Sequence, residues 1–311
     1  MRTRKAIVFV LRLAVTVGIS YWVWNRLQVS DEAPLEQMKL VPVWAMVLPA
    51  LVILVNTLIH AIRLQILFSA ASQPIPLVKL LNAILKGHFV GLVLPMGGAD
   101  LVKVTYLSKL AGGASLAAGI LGLARLLEMM PWGMALIIGG GVLLDLELSL
   151  GILALGCGVL LLVVCGVGIW LSQRNLSAVF DRTPRLKQFV RRLEDGLHQV
   201  GRQLGPLVWV TLLGIGFLMM NTFCLWGLCI AYQSPLTVLE VFTLFPLIDF
   251  LVSLPISLNG VGIRETVYPM LLKVFEFKLE LALAVAWTRW TGELCRAALG
   301  GVLFWMDRIP H

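Results

Sequence analysis

Leu254-Pro-Ile-Ser-Leu-Asn-Gly-Val-Gly-Ile-Arg-Glu265 follows the apolar stretch 236–254 and leads into a short charged helical pattern. It reads as a helix stop, a tight turn and a helix start. Pro255 cannot continue a hydrogen-bond ladder, Gly260 and Gly262 permit a reversal, and Ser257 or Asn259 can cap the outgoing helix. A second copy of this grammar, Leu94-Pro-Met-Gly-Gly-Ala-Asp-Leu-Val-Lys103, closes the apolar stretch 77–94, with Gly97 and Gly98 for the turn and Asp100 as the cap. Both breaks interrupt a chain that is otherwise made of apolar helices.

That chain has 311 residues, 59% apolar and 14% charged, and a mean hydropathy of +0.91. Soluble domains are about 45–50% apolar and about 25% charged, so a soluble globular protein is excluded. The surplus apolar surface belongs in a bilayer. Candidate crossings of about 20 residues are 6–24, 43–62, 114–144, 150–171, 207–231 and 280–306. The net charge of +8 is explained by basic cytoplasmic loops rather than by nucleic acid. Cys157, Cys165, Cys224, Cys229 and Cys295 lie in apolar stretches without metal-ligand spacing, so they read as packing residues, and no metal or cofactor is expected.

Charge sets the topology. With Arg2, Arg4 and Lys5 inside, segment 25–40 lies outside at a net −1, and the second helix returns near Arg63. If 77–94 crossed fully, the linker 172–205, at a net +4, would lie outside against the positive-inside rule. A broken hairpin over 77–112 that enters and leaves on the cytoplasmic side avoids this, and it is the favoured reading. The linker's Phe180, Leu186, Phe189, Val190, Leu193, Leu197 and Val200 then form an amphipathic helix on the inner leaflet. A solvated connector is the alternative.

Self-similarity extends beyond the breaks. Val43-Trp44 and Asn56-Thr57 recur as Val208-Trp209 and Asn221-Thr222, both shifted by 165, and Arg125 with Glu128 resembles Arg289 with Glu293. The second copy starts on the opposite side of the membrane. The fold class expected is therefore an all-α polytopic membrane protein with two inverted-topology repeats, each with a re-entrant broken-helix hairpin, and about six full crossings. A single integral membrane domain, 1–311, divides into a first helix 6–24, repeat 1 at 41–145, a connecting helix 150–171, the basic linker 172–205 and repeat 2 at 206–306. Transporters built this way bind substrate near the midplane, where the breaks meet.

Helix N-termini in a low-dielectric region favour anions, and Lys103 and Arg264 add full charges. Arg125 with Glu128, and Arg289 with Glu293 and Arg296, present charge to the bundle interior, and Asp100 and Glu265 are expected near these arginines. Ionisable groups at this depth read as functional. The expected substrate-binding set is Gly97, Gly98, Asp100, Lys103, Arg125, Glu128, Ser257, Asn259, Gly260, Gly262, Arg264, Glu265, Arg289 and Glu293. Asn56, His60, Lys86, His88, Asn221 and Asp249 are weaker polar anchors, and the histidines read as interior groups rather than metal ligands. The competing reading makes the glycines and prolines mere turns and the charges mutual structural pairs.

The two break motifs resemble those of the transmembrane region of lysylphosphatidylglycerol synthases and their stand-alone flippase-like relatives, over nearly the whole chain. The element Pro-x-Ser-x-x-Gly-x-Gly-x-x-Glu is occupied by Pro255, Ser257, Gly260, Gly262 and Glu265. The first motif departs from the family's Gly-Asp followed by Arg, having Gly98-Ala99-Asp100 and then Lys103. The resemblance implies movement of lipid between leaflets. Since the sequence holds no soluble synthase domain, aminoacyl transfer is not expected.

The function expected is thus a lipid translocase for an anionic or phosphate-containing lipid, in a prokaryotic cytoplasmic (inner) membrane, with both termini cytoplasmic. It is not an enzyme, its partner is a membrane lipid, and it binds no nucleic acid. A lipid-synthesising enzyme is a second candidate partner. An accessory or scaffold subunit of an envelope-modifying system is the alternative, followed by an integral-membrane lipid transferase with Asp100 or Glu265 as base. The sequence has no nucleotide-binding loop, so drive would come from an ion gradient through carboxylates such as Glu128 and Asp249.

Overall fold

The structure, a computed structural model, describes residues 34–93, 98–172, 200–201, 203–233, 236–253 and 260–306. Among them are helices only: α1 (Pro34–Leu40), α2 (Val43–Ala70), α3 (Leu77–Val93), α4 (Gly98–Ser108), α5 (Ala114–Leu146), α6 (Leu148–Ser172), α7 (Leu204–Ala231), α8 (Val238–Ser253), α9 (Ile263–Leu272) and α10 (Leu279–Met306), with a 3-10 turn at Lys273–Phe275.

Helices α2, α5, α6 and α7 are each long and apolar enough to cross a membrane. The chain is a multi-pass helical membrane protein. The expected span 6–24 and nearly all of the linker 172–205 lie outside the described residues. The expected span 280–306 is α10, whose 28 residues reach about 42 Å at 1.5 Å per residue. It is long enough to cross but carries Glu280, Arg289, Glu293 and Arg296.

The second helix runs past its expected end at 62 to Ala70. Arg63 lies within the helix with its charge turned inward, facing Glu128. Asn56, His60 and Arg63 recur at i, i+4 and i+7, which places them on one stripe of a helix whose other faces are apolar. Leu51, Leu54, Val55 and Leu58 take the outward faces, and Thr57 satisfies its hydroxyl on the Ile53 carbonyl at 2.7 Å.

Two sets of four helices follow one another with matching lengths. α2 to α5 have 28, 17, 11 and 33 residues, and α7 to α10 have 28, 16, 10 and 28. Each short pair packs on itself, α3 on α4 and α8 on α9, and each long fourth helix packs against the opposite set's second helix, α5 on α8 and α10 on α3. Small residues allow the close approach. Gly91 and Gly87 face Ala99 and Lys103 across the first hairpin, Gly139 of α5 lies against the Thr243 backbone of α8, and Gly300 of α10 lies against the Leu85 backbone of α3. α2 runs along α7, and α6 packs on α5 with its exposed face carrying Ile152, Val159, Val163 and Val167.

Candidate functional site: a charged chamber between the two helix sets

Between the two sets lies a chamber of about 220 Å³. Its wall takes Asn56 and His60 from α2, His88 from α3, Lys103 from α4, Arg125 and Glu128 from α5, Asn221 from α7, Asp249 from α8, and Arg289, Glu293 and Arg296 from α10. On α5 and α10 these groups recur at three- and four-residue spacing, so each helix turns one charged stripe inward. The i, i+3 pair Arg125–Glu128 measures 3.4 Å, and Arg296 pairs with Glu293.

Glu128 is shared. Its Oε1 meets Arg125 at 3.4 Å, while its Oε2 faces Arg63 Nη1 at 3.5 Å and His60 Nδ1 at 3.9 Å. Arg63 is 1% exposed and also donates to the carbonyls of Val210 and Ala124, each at 3.2 Å. It ties α2 to α5 and α7. Arg125 has an exposed side chain and half a carboxylate, so it is the looser partner and is free to engage a ligand.

Arg289 is the most fully engaged group. Both terminal nitrogens donate to Asp249 Oδ1 at 3.2 Å, Nη1 also donates to the Tyr268 hydroxyl at 2.8 Å, and Nη2 donates to Asn221 Oδ1 at 3.4 Å. Its guanidinium also lies 4.7 Å from the centre of the Phe245 ring. The equivalent groups of the first set are unfilled. Asn56, 1% exposed, has no partner for either amide atom, and His60 Nε2 is buried without one; in the second set Arg296 Nε is also buried without a hydrogen bond. Buried polar atoms normally have partners, and these chamber-wall atoms have none.

Charge points the same way. Lys103, Arg125, Arg289 and Arg296 line the chamber against Glu128, Asp249 and Glu293, with Arg63 behind Glu128. One further carboxylate, Asp100, pairs with Lys103 at 3.0 Å from the exposed side. The chamber therefore holds a positive excess that an anion would neutralise.

The sequence-derived set divides. Lys103, Arg125, Glu128, Arg289 and Glu293 line the chamber. Arg264 instead lines a smaller neighbouring pocket. Asp100 lies within electrostatic range of Arg125 but is ion-paired with Lys103, and Glu265 Oε2 accepts the Gly262 N–H at 2.7 Å. The carboxylates that meet the arginines are Glu128, Asp249 and Glu293, which lie at chamber depth on their helices, whereas Glu265 sits at N3 of α9, within reach of its own N-terminus. Gly260 and Gly262 have φ of 74° and 86° and build the turn into α9 with backbone that side-chained residues rarely adopt. Gly98 opens α4. Gly97, Ser257 and Asn259 lie outside the described residues. Glu265→Ala is expected to cost about 1 kcal/mol through loss of this cap, read as a lower unfolding temperature with retained-lipid composition unchanged.

Sequence patterning marks His60, Asn56, Asn221 and Asp249 only as weaker polar anchors and does not mark Arg63 or Tyr268 as lying beside them. The available signal was the i, i+4, i+7 stripe 56–60–63 on an apolar helix.

The fold and chamber define a class: a multi-pass helical membrane protein with a charged interior cavity between two sets of helices. Residues 9–289 match the Lysylphosphatidylglycerol synthase TM region. The chain belongs to that family, which relates it to lipid modification or lipid flipping. No curated protein and no solved structure matches it.

Proposed function

We propose that this protein is a lipid translocase of the flippase type, moving an anionic or phosphate-containing lipid between leaflets with its headgroup in the chamber. The positive excess of the chamber carries this reading. A desolvated cationic wall with unfilled hydrogen-bonding groups suits a charged headgroup, and the acyl chains can remain in the bilayer.

The architecture supports it. Matched helix lengths, the reciprocal packing of α5 on α8 and α10 on α3, and the glycine seats at Gly139 and Gly300 support two repeats, 41–145 and 206–306. Set across a membrane with the basic linker inside, these repeats are inverted, their hairpins α3–α4 and α8–α9 are re-entrant from opposite sides, and the crossings number six. Rocking of one repeat against the other would then expose the chamber alternately. The setting is a prokaryotic cytoplasmic membrane with both termini inside. The protein performs no covalent chemistry, and its partner is a membrane lipid.

Mass spectrometry of lipids retained by the gently purified chain tests the chamber. Wild type is expected to hold an anionic lipid selectively. Lys103→Ala with Arg125→Gln is expected to reduce that enrichment about tenfold or more, since each lost charge-assisted hydrogen bond is worth about 1.5–3 kcal/mol. The same bulk lipid in wild type and variant would count against the reading.

A further inference from the structure

Arg264 is 8% exposed, and its Nη1 is buried with no partner. No carboxylate among the described residues lies within ion-pair distance of it, and its guanidinium lies 5.7 Å from the centre of the Trp290 ring. Trp290 Nε1 is likewise buried and unpartnered. Both groups line a pocket of about 50 Å³ beside the chamber. The other walls are apolar, from Pro49, Val52 and Ile53, or are already engaged: Asp249 and Asn221 hold Arg289, and Glu293 holds Arg296.

An unpaired buried guanidinium is costly. Here it is accompanied by a second N–H that can only donate. The carboxylates in the wall, Asp249 and Glu293, are paired with Arg289 and Arg296 rather than with Arg264. Its volume suits roughly four water-sized positions, which is the size of a small oxyanion and too small for a sugar or an amino-acid side chain.

We propose that Arg264 and Trp290 form an anion subsite, separate from the chamber, that holds a phosphate-type oxyanion through the guanidinium and the indole N–H. The oxyanion is either free in solution or a phosphate of a bound lipid. Arg264 and Trp290 do not line the chamber, while Arg289, Asp249 and Glu293 line both cavities.

The test uses the purified full chain in detergent, with inorganic phosphate as the probe and Arg264→Gln, Trp290→Phe and Arg125→Gln as variants. Bound ligand raises the unfolding temperature by mass action. The expected result is a phosphate-dependent rise in wild type and Arg125→Gln, a response needing about tenfold more phosphate in Trp290→Phe, and no response in Arg264→Gln. Trp290→Phe keeps the ring and removes only the donor, so it remains decisive if Arg264→Gln folds poorly. If phosphate has no effect on wild type, native mass spectrometry decides. A phospholipid retained by wild type but depleted in Trp290→Phe and Arg264→Gln makes the lipid the source. No phosphate response and no lipid difference, or a response equal in wild type and both pocket variants, overturns the subsite. An effect confined to Arg125→Gln would support the chamber and reject this pocket.

Discussion

Gly300→Ala is expected to be among the most damaging single substitutions in the described chain. A Cβ there would overlap the Leu85 carbonyl oxygen and lie 2.6 Å from its carbon, with Phe89 Cβ at 3.1 Å. The obstacle is backbone inside α3, so relief requires α10 to move off the first hairpin. Overpacking costs about 1–3 kcal/mol where side chains can yield; with a carbonyl in the way, about 3 kcal/mol or more is expected. Gly301→Ala meets only the Phe89 ring, at 3.0 Å, and should cost far less. Gly122→Ala has nothing within 4 Å of the new Cβ and should stabilise α5 by about 0.5–1 kcal/mol. Thermal unfolding of the three purified variants checks the order, and equal midpoints for Gly300→Ala and Gly122→Ala would refute the close docking of α10 on α3.

Arg63→Ala is expected to be comparably severe for an electrostatic reason. It removes the cation facing Glu128 Oε2 at 3.5 Å and frees two buried carbonyls, those of Val210 and Ala124. Breaking a buried pair from one side costs about 3–5 kcal/mol, because the remaining charge stays desolvated. Replacing both members, Arg63→Met with Glu128→Leu, is expected to recover part of that loss, since neither charge then remains buried alone. A double variant no more stable than Arg63→Ala would show that the carbonyl contacts dominate. The unfolding midpoint discriminates, because α2, α5 and α7 meet at this one side chain.

Much of this architecture was legible in the sequence because bilayer physics leaves few options. Long apolar runs give the long helices α2, α5, α6 and α7. The charged stripes on α5 and α10 were equally readable from three- and four-residue spacing. What the sequence could not supply was the pairing across elements. Glu265 beside a glycine-rich turn reads equally as a ligand group or a cap, and only the turn geometry decides for the cap. Asp249 is a carboxylate in the apolar body of α8, beyond Glu240 in its first turn, and its partner Arg289 is 40 residues away. Arg63 sits where a charged residue ordinarily ends an apolar helix, and its burial there is accounted for by Glu128 on the helix packed opposite. Arg264 and Arg289 look alike on paper; one has four hydrogen bonds and the other none among the described residues.

The most direct test of the chamber as a lipid path is a leaflet-exchange assay with the full chain reconstituted in liposomes. Fluorescent phosphatidylglycerol and fluorescent phosphatidylcholine are followed by chemical quenching of the outer leaflet. Wild type is expected to move the anionic probe faster than the zwitterionic one. Arg125→Gln and Arg289→Gln are expected to lose that difference while remaining folded in the membrane. Exchange no faster than in protein-free liposomes, or equal rates for both probes unchanged by either variant, would contradict a headgroup path through the chamber.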